Sequence, residues 1–81
     1  MRELTSVDIL KNRVDTIPQY YILDYLKKNL NISEFKIYLV DHNNIKVIDK
    51  TDDSLYFSYD SENKEVVYYE KLKEIEQEIS L

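Results

Sequence analysis

The sequence predicts an α+β fold: a single domain over residues 1–81, with two N-terminal helices packed on a four-stranded antiparallel meander and a short C-terminal helix. Three observations predict it. Helix-capping patterns begin at Thr5 and Thr16. After Asn31 the apolar spacing changes from about four residues to two. Polar, turn-forming clusters then separate the alternating segments.

The first helix is predicted to begin after Thr5, whose hydroxyl caps the helix while Asp8 stands three residues later. Leu4 and Ile9 have the spacing of a hydrophobic staple, which fixes the angle at which the chain enters the helix. The predicted apolar face consists of Val7, Leu10 and Val14.

The second helix is predicted to follow Thr16, with Pro18 in the first turn and Gln19 completing a capping box. Its predicted apolar positions are Tyr20, Leu23, Leu26 and Leu30. Basic side chains in the last turn, at Lys27 and Lys28, complement the helix dipole. In a chain without glycine, Asn29 or Asn31 is expected to adopt the left-handed conformation that ends the helix.

Alternating segments after the second helix predict four strands, at residues 35–40, 45–48, 55–59 and 65–69. The polar stretches 41–44, 49–54 and 60–64 connect them. In the tail, 70–81, Leu72, Ile75 and Ile79 have helical spacing, which predicts a terminal helix. Ile75, Gln77, Ile79 and Leu81 also stand at alternate positions, which is the spacing of a strand. A fifth strand is therefore the alternative to the helix.

Alternation divides the predicted sheet into two faces. The helices are expected to cover Phe35, Ile37, Leu39, Ile45, Val47, Leu55 and Phe57. The opposite face carries Tyr38, Val40, Ile48, Tyr56, Val67 and Tyr69. That second set is too apolar for plain exposure to water, so we expect it to be covered by the last helix or a symmetric partner subunit, or to bind another protein.

Composition excludes most standard catalytic chemistry. The chain has no Gly, Ala, Cys or Trp, so it lacks glycine-rich phosphate loops, thiol nucleophiles and cysteine metal sites. The single histidine, His42, lies in a predicted turn with no nucleophile marked beside it. Asp49, Asp52 and Asp53 resemble part of a calcium loop, but Ser54 stands where that loop needs glycine. We therefore predict no enzyme, no catalytic residue, no metal site and no cofactor.

The expected setting is the cytoplasm, because no segment approaches the roughly 18 apolar residues of a membrane span and no cysteine indicates an oxidising compartment. Abundant Lys, Asn, Ile and Tyr beside scarce Gly, Ala and Pro indicate an AT-rich coding genome. That composition favours a low-GC bacterium, or a phage or mobile element living in one.

Charge is divided unevenly along the chain. Residues 1–40 carry six basic and five acidic side chains, whereas residues 41–81 carry five basic and eleven acidic ones. Because nucleic-acid phosphate requires a clustered basic face, direct nucleic-acid binding is not expected. An acidic half favours a basic protein partner instead.

The leading hypothesis is therefore a non-enzymatic acidic interaction protein, encoded by a phage or mobile element, that binds a basic surface of a host protein handling nucleic acid. On a helix, Glu70, Glu74 and Glu78 form a row at successive turns that imitates a run of phosphates, which suits an inhibitor or DNA mimic. A solvated glutamate-rich face is the alternative explanation of that row. The candidate partner-binding residues are Asp52, Asp53, Tyr56, Tyr59, Glu62, Tyr69, Glu70, Glu74 and Glu78.

Two other classes stay open. One is a structural or regulatory homodimer that buries the tyrosine-bearing sheet face. The other is a small DNA-binding regulator acting through Arg2, Lys11, Arg13, Lys27 and Lys28. No motif identifies a family; in size and charge alone the chain is similar to small acidic phage-encoded inhibitors of host nucleic-acid enzymes, such as anti-CRISPR proteins and inhibitors of uracil-DNA glycosylase.

Overall fold

A computed structural model describes residues 1–70, and the fold is mixed α+β. Within residues 1–70, two helices and one 3-10 turn accompany five strands. In chain order the elements are β1 (Arg2–Glu3), α1 (Ser6–Leu10), α2 (Ile17–Asn29), the 3-10 turn (Ile32–Glu34), β2 (Lys36–Asp41), β3 (Asn44–Ile48), β4 (Ser54–Asp60) and β5 (Glu65–Tyr69). The strands form one antiparallel sheet in the order β1-β2-β3-β4-β5, so each strand pairs with its neighbours in sequence.

Strands β2 to β5 confirm the predicted four-stranded meander. The predicted number of strands is wrong, because the short strand β1 adds a fifth to the sheet. Arg2 pairs with Leu39 and Glu3 with Tyr38. Leu4 N–H then donates to the Ile37 carbonyl oxygen at 2.8 Å. A strand of two residues is too short to show alternation in the sequence. The pairing of β1 with β2 accompanies the burial of Leu4 beside β2. The predicted terminal helix over 70–81, and its alternative fifth strand, lie outside the described residues.

Both predicted helix starts are confirmed by their capping boxes. The Thr5 hydroxyl accepts from Asp8 N–H at 3.1 Å, and Thr5 N–H donates to the Asp8 carboxylate at 3.0 Å. At the second helix the Thr16 hydroxyl accepts from Gln19 N–H at 3.2 Å. Each box satisfies donors that the first turn of a helix leaves without partners.

The core forms between α2 and one face of the sheet. Its nine buried apolar residues are Leu4, Ile22, Leu23, Leu26, Ile37, Leu39, Ile45, Val47 and Phe57. Phe35 and Leu55 pack partly buried against this cluster, so the predicted helix-covered face of the sheet is confirmed. Full burial of one such side chain contributes about 1.5–3 kcal/mol.

The helix faces differ from the prediction. In α1, Val7 and Leu10 are exposed and Ile9 packs on the core instead; Val14, the third residue of the predicted face, packs on the core from beyond the end of the helix. In α2, Tyr20 is exposed, whereas Ile22 is fully buried. The buried stripe thus runs through aliphatic side chains, and the tyrosines of α2 lie toward solvent.

Left-handed backbone also occurs at positions other than those predicted. The chain leaves α2 in an extended conformation at Leu30, so neither Asn29 nor Asn31 is left-handed. Among residues 1–70, positive φ occurs instead at Asn12, Asp52 and Lys64. Asn and Asp tolerate this conformation because their short side chains bond locally; Lys64 has no such advantage.

Gln19 joins the start of α2 to the end of β2. This residue is only 3% exposed, and each polar atom of its side chain has a hydrogen-bond partner. Its Oε1 accepts from the N–H groups of Asp15 at 2.9 Å and Thr16 at 3.1 Å, and its Nε2 donates to the Asp41 carbonyl oxygen at 2.7 Å. The Thr16 hydroxyl adds a bond to the His42 carbonyl oxygen at 2.7 Å. The helix cap is therefore also a tertiary contact with the β2–β3 turn.

We predict that Gln19→Met lowers the free energy of unfolding by about 2–3 kcal/mol, because the substitution keeps the volume but leaves buried donors and an acceptor without partners. Urea unfolding followed by far-UV circular dichroism measures the loss. Thr16→Ser, which keeps the capping hydroxyl, is the control and should remain near wild type. A loss below about 0.5 kcal/mol for Gln19→Met, the range of ordinary surface substitutions, contradicts the assignment.

Candidate protein-interaction surface

The predicted acidic residues lie at two ends of the sheet. Asp52 and Asp53 are exposed in the β3–β4 turn, whereas Glu62 is exposed in the β4–β5 turn. The seven residues of β4 separate these turns, which places them roughly 20 Å apart at the usual rise of a strand. Glu62 therefore does not join Asp52 and Asp53 in one patch.

Glu70 is brought to the end of the sheet that holds Asp53. Together with Asp49, these residues border a cleft of about 480 Å³ whose apolar walls include Phe35 and Leu55. Glu74 and Glu78 lie outside the described residues. Within residues 1–70, the single acidic patch that the sequence predicted is thus divided into two groups.

Two further carboxylates close the turns of the sheet. In the β3–β4 turn, Asp49 Oδ1 accepts from the Thr51 hydroxyl at 2.7 Å, Thr51 N–H at 2.8 Å and Asp53 N–H at 3.1 Å. In the β4–β5 turn, Asp60 accepts from the Asn63 side-chain amide at 2.7 Å and from the N–H groups of Asn63 and Glu62. These bonds are Asx-type turns, while Asp52 and Lys64 adopt the positive φ for which such turns commonly use glycine.

Hydrogen bonding lowers the pKa of both turn carboxylates below the ordinary value of 3.8. The Thr51 hydroxyl is the largest cause for the pKa of Asp49, and the Asn63 side-chain amide for the pKa of Asp60. The pKa of Asp8 is lowered in the same way, first by the backbone N–H of Thr5 in the capping box. All three groups are held as structural anions.

The predicted tyrosine anchors occupy opposite faces of the sheet. Tyr56 and Tyr69 are cross-strand partners on the face away from α2, with rings stacked at 5.7 Å and an interplanar angle of 9°. Lys46 Nζ lies 5.7 Å from the centroid of Tyr56. Tyr59 lies on the helix-covered face, where its ring stacks on Tyr21 at 4.9 Å. The structure therefore brings Tyr56 and Tyr69 together and separates Tyr59 from them.

Tyr69 is held by a hydrogen bond within the chain. Its hydroxyl donates to Asn44 Oδ1 at 2.6 Å. Burial raises the pKa of Tyr69 above its ordinary value of 10.0, and the charge of Asp41 adds to the rise. With Tyr56 half-buried as well, this face presents two rings whose contacts are largely satisfied by neighbours in the same sheet.

The exposed tyrosines lie instead along α2 and β5. Tyr68 is 65% exposed, Tyr21 46%, Tyr20 44% and Tyr25 36%. Their ring contacts form two clusters. In one, Tyr20 meets Tyr21 edge-on and Tyr21 stacks on Tyr59; in the other, Phe57 lies between Tyr25 and Tyr68 at centroid distances of 6.3 and 5.8 Å. We call Tyr20, Tyr21, Tyr25, Tyr59 and Tyr68 the aromatic surface.

A groove crosses this aromatic surface between α2 and the β4–β5 hairpin. It is lined by Tyr21, Tyr25, Tyr59, Lys64, Glu65 and Val66. Its position follows from α2, whose buried stripe fixes which side of the helix faces the sheet and therefore which tyrosines border the hairpin.

Sequence reasoning missed Tyr20, Tyr21, Tyr25 and Tyr68 as surface residues. The available signal was the spacing of Ile22, Leu23 and Leu26, which places three aliphatic side chains on one side of α2 and leaves Tyr21 and Tyr25 beside that stripe. Choosing Tyr20 as an apolar position obscured that stripe.

Several basic residues of the alternative DNA-binding hypothesis make contacts within the chain. Arg2 bonds to Asp15 at 3.2 Å and lies 3.9 Å from Asp8. Lys27 Nζ donates to the Ile9 carbonyl oxygen at 2.9 Å, which joins α2 to α1. Lys28 pairs with Asp24 at 3.0 Å. These contacts do not gather the cations on one exposed face.

His42 lies exposed in the β2–β3 turn, where its carbonyl oxygen accepts from Thr16. Among residues 1–70 there is no group of three or more His, Asp or Glu side chains placed to hold a metal ion. Over the same residues, none of the helices has both the length and the apolar character needed to cross a membrane.

Comparison of the chain with protein-family models, with curated proteins and with solved structures gives no match.

Acid should destabilise the protein through its turn carboxylates. Because the pKa values of Asp49 and Asp60 are lower in the folded state than the ordinary 3.8, their contribution is complete above that pH and is lost as the pH falls through the folded values. We predict that Asp49→Asn with Asp60→Asn flattens the dependence of the free energy of unfolding on pH below 3.8, measured by urea unfolding across a pH series.

Asp52→Asn with Glu62→Gln is the matched control, because it removes the same two charges from exposed carboxylates that accept no hydrogen bond within residues 1–70. It should leave the slope nearly unchanged. An equal flattening in the control assigns the acid sensitivity to net charge and contradicts the role of the two turn bonds.

Proposed function

We propose that this protein is a non-enzymatic acidic interaction protein that binds a basic surface of another protein through its aromatic surface. The observation that carries the proposal is the presence of four tyrosines, each at least 36% exposed, along α2 and β5, where ring contacts arrange them in two clusters. The packing of α2 on the sheet fixes the positions of the elements that carry these rings.

Tyrosine suits such a surface because its ring excludes water while its hydroxyl still bonds to it. Buried tyrosines are among the residues that contribute most to protein–protein affinity. Ile17, 71% exposed at the start of α2, extends the apolar character of the helix beyond the rings. Contiguous exposed apolar surface of this kind marks interaction sites in soluble proteins.

Charge indicates the chemistry of the partner. The chain has a net charge of −5. Beside the groove, the β4–β5 hairpin carries Asp60, Glu62 and Glu65 against the single cation Lys64. A negative field attracts a basic surface and accelerates its association, and the effect weakens as salt is added.

The finer identity of the partner is part of the same proposal. Proteins that handle nucleic acid carry clustered Lys and Arg, so a host protein of that class, met in the cytoplasm by a phage or mobile-element product, matches the composition of the chain. Action as an inhibitor by DNA mimicry requires a continuous acidic row. It depends on Glu70, Glu74 and Glu78, and the last two lie outside residues 1–70.

One observation favours a second candidate function, a structural or regulatory homodimer. Among residues 1–70, β5 pairs on one side only, with β4, and exposes Val67 and Tyr68. An edge strand rich in Val and Tyr, without Pro, is suited to pairing with a second copy. Light scattering after gel filtration decides the case, since the mass of one chain at every concentration removes this candidate.

The proposal predicts which substitutions abolish capture of a partner. A pull-down from the lysate of a bacterium with an AT-rich genome should recover a basic protein at low ionic strength and release it as NaCl is raised. Tyr21→Ser with Tyr25→Ser should reduce recovery about tenfold or more, because two candidate anchors are lost.

Tyr38→Ser with Tyr56→Ser is the matched control, since it removes two rings from the opposite face of the sheet. It should leave recovery unchanged. Far-UV circular dichroism confirms that each variant is folded. The proposal fails if no basic protein is recovered, or if the control variant lowers recovery as strongly as the Tyr21 and Tyr25 variant.

A further inference from the structure

We propose that the groove between α2 and the β4–β5 hairpin binds an arginine side chain of the partner, in preference to lysine. This inference rests on the proposed function and specifies its chemistry. Its basis is the placement of three tyrosine rings around one groove, with carboxylates on the adjoining turn.

The rings form a surface suited to a flat group. Tyr21 and Tyr59 stack with centroids 4.9 Å apart and planes 25° from parallel, and Tyr25 lines the same groove. Val66 adds an apolar side chain to the lining. A guanidinium is planar and weakly hydrated, so it stacks on aromatic rings more readily than the compact, strongly hydrated ammonium of lysine.

The protein already contains a cation at a tyrosine ring, but on the opposite face. There Lys46 lies 5.7 Å from the centroid of Tyr56. Within residues 1–70 no Lys or Arg makes such a contact with Tyr21, Tyr25 or Tyr59. Those rings are therefore available to a cation supplied by a partner.

Charges near the groove favour a cation, with one exception. Asp60, Glu62 and Glu65 lie on the hairpin, and Asp60 stands directly across from Glu65 in the ladder. Lys64 opposes them from the groove lining, where its backbone is left-handed at φ 55°. Removal of that one positive charge should strengthen binding. Asn suits the position because it tolerates the left-handed conformation.

The test uses the full chain and three synthetic peptides of alternating Gly with Arg, Lys or citrulline, titrated by isothermal calorimetry at low salt. We expect the Arg peptide to bind about tenfold tighter than the Lys peptide, a difference within the range of cation–π stacking. The citrulline peptide, which keeps the shape without the charge, should bind far more weakly than the Arg peptide.

Variants locate the site. Tyr21→Leu and Tyr59→Leu should each weaken the Arg peptide severalfold, Tyr21→Phe should retain it because the ring remains, and Lys64→Asn should tighten it severalfold. Tyr56→Leu, on the opposite face, is the control. Far-UV circular dichroism confirms that Tyr21→Leu is folded, and Tyr21→Phe with Lys64→Asn tests the groove without removing a ring.

The outcomes separate this inference from the function on which it rests. Equal affinity for the Arg and Lys peptides, or equal weakening by Tyr56→Leu and Tyr21→Leu, overturns the arginine groove and leaves a basic partner in place. Binding of neither charged peptide overturns both. Binding of the citrulline peptide as tightly as the Arg peptide also overturns the inference, since charge would then have no role.

Discussion

Everything on the α2 side of the sheet depends on how Gln19 holds the helix. Its amide joins the first turn of α2 to the β2–β3 turn, and Thr16 bonds the same turn beside it. This end of α2 is therefore fixed by hydrogen bonds, while Ile22, Leu23 and Leu26 fix its rotation by burial. Because both the position and the rotation of α2 are fixed, Tyr21 and Tyr25 are placed beside the β4–β5 hairpin.

A chain without glycine closes its turns with side chains, and this choice shapes its electrostatics. Asp49 and Asp60 bind backbone N–H groups at opposite ends of β4, so part of the acidic character of the second half is structural. The remaining carboxylates follow the turns to both ends of the sheet. Under the proposed function, a field spread in this way would attract a basic partner without defining its position, and the exposed rings would define where it binds.

Local signals in the sequence predicted much of the fold. The capping boxes at Thr5 and Thr16 and the period-two strands are local, and they appear where expected. The pairing of β1 and the exposure of Tyr20 depend on tertiary contacts that no short window contains. The candidate site was predicted less well. Alternation along β4 would have separated Tyr59 from Tyr56, but the stacking of Tyr21 on Tyr59 joins a helix and a strand that are distant in sequence, and no local pattern shows it.

The proposed function requires a basic partner to bind where α2 meets the β4–β5 hairpin. Amide chemical shifts of the isotope-labelled chain, followed by NMR as an arginine-rich peptide is added, test it most directly. We expect the shifts to concentrate in residues 20–25, 57–60 and 64–68. Shifts centred instead on the β3–β4 turn and Glu70, or on Tyr38, Lys46 and Tyr56, would contradict it.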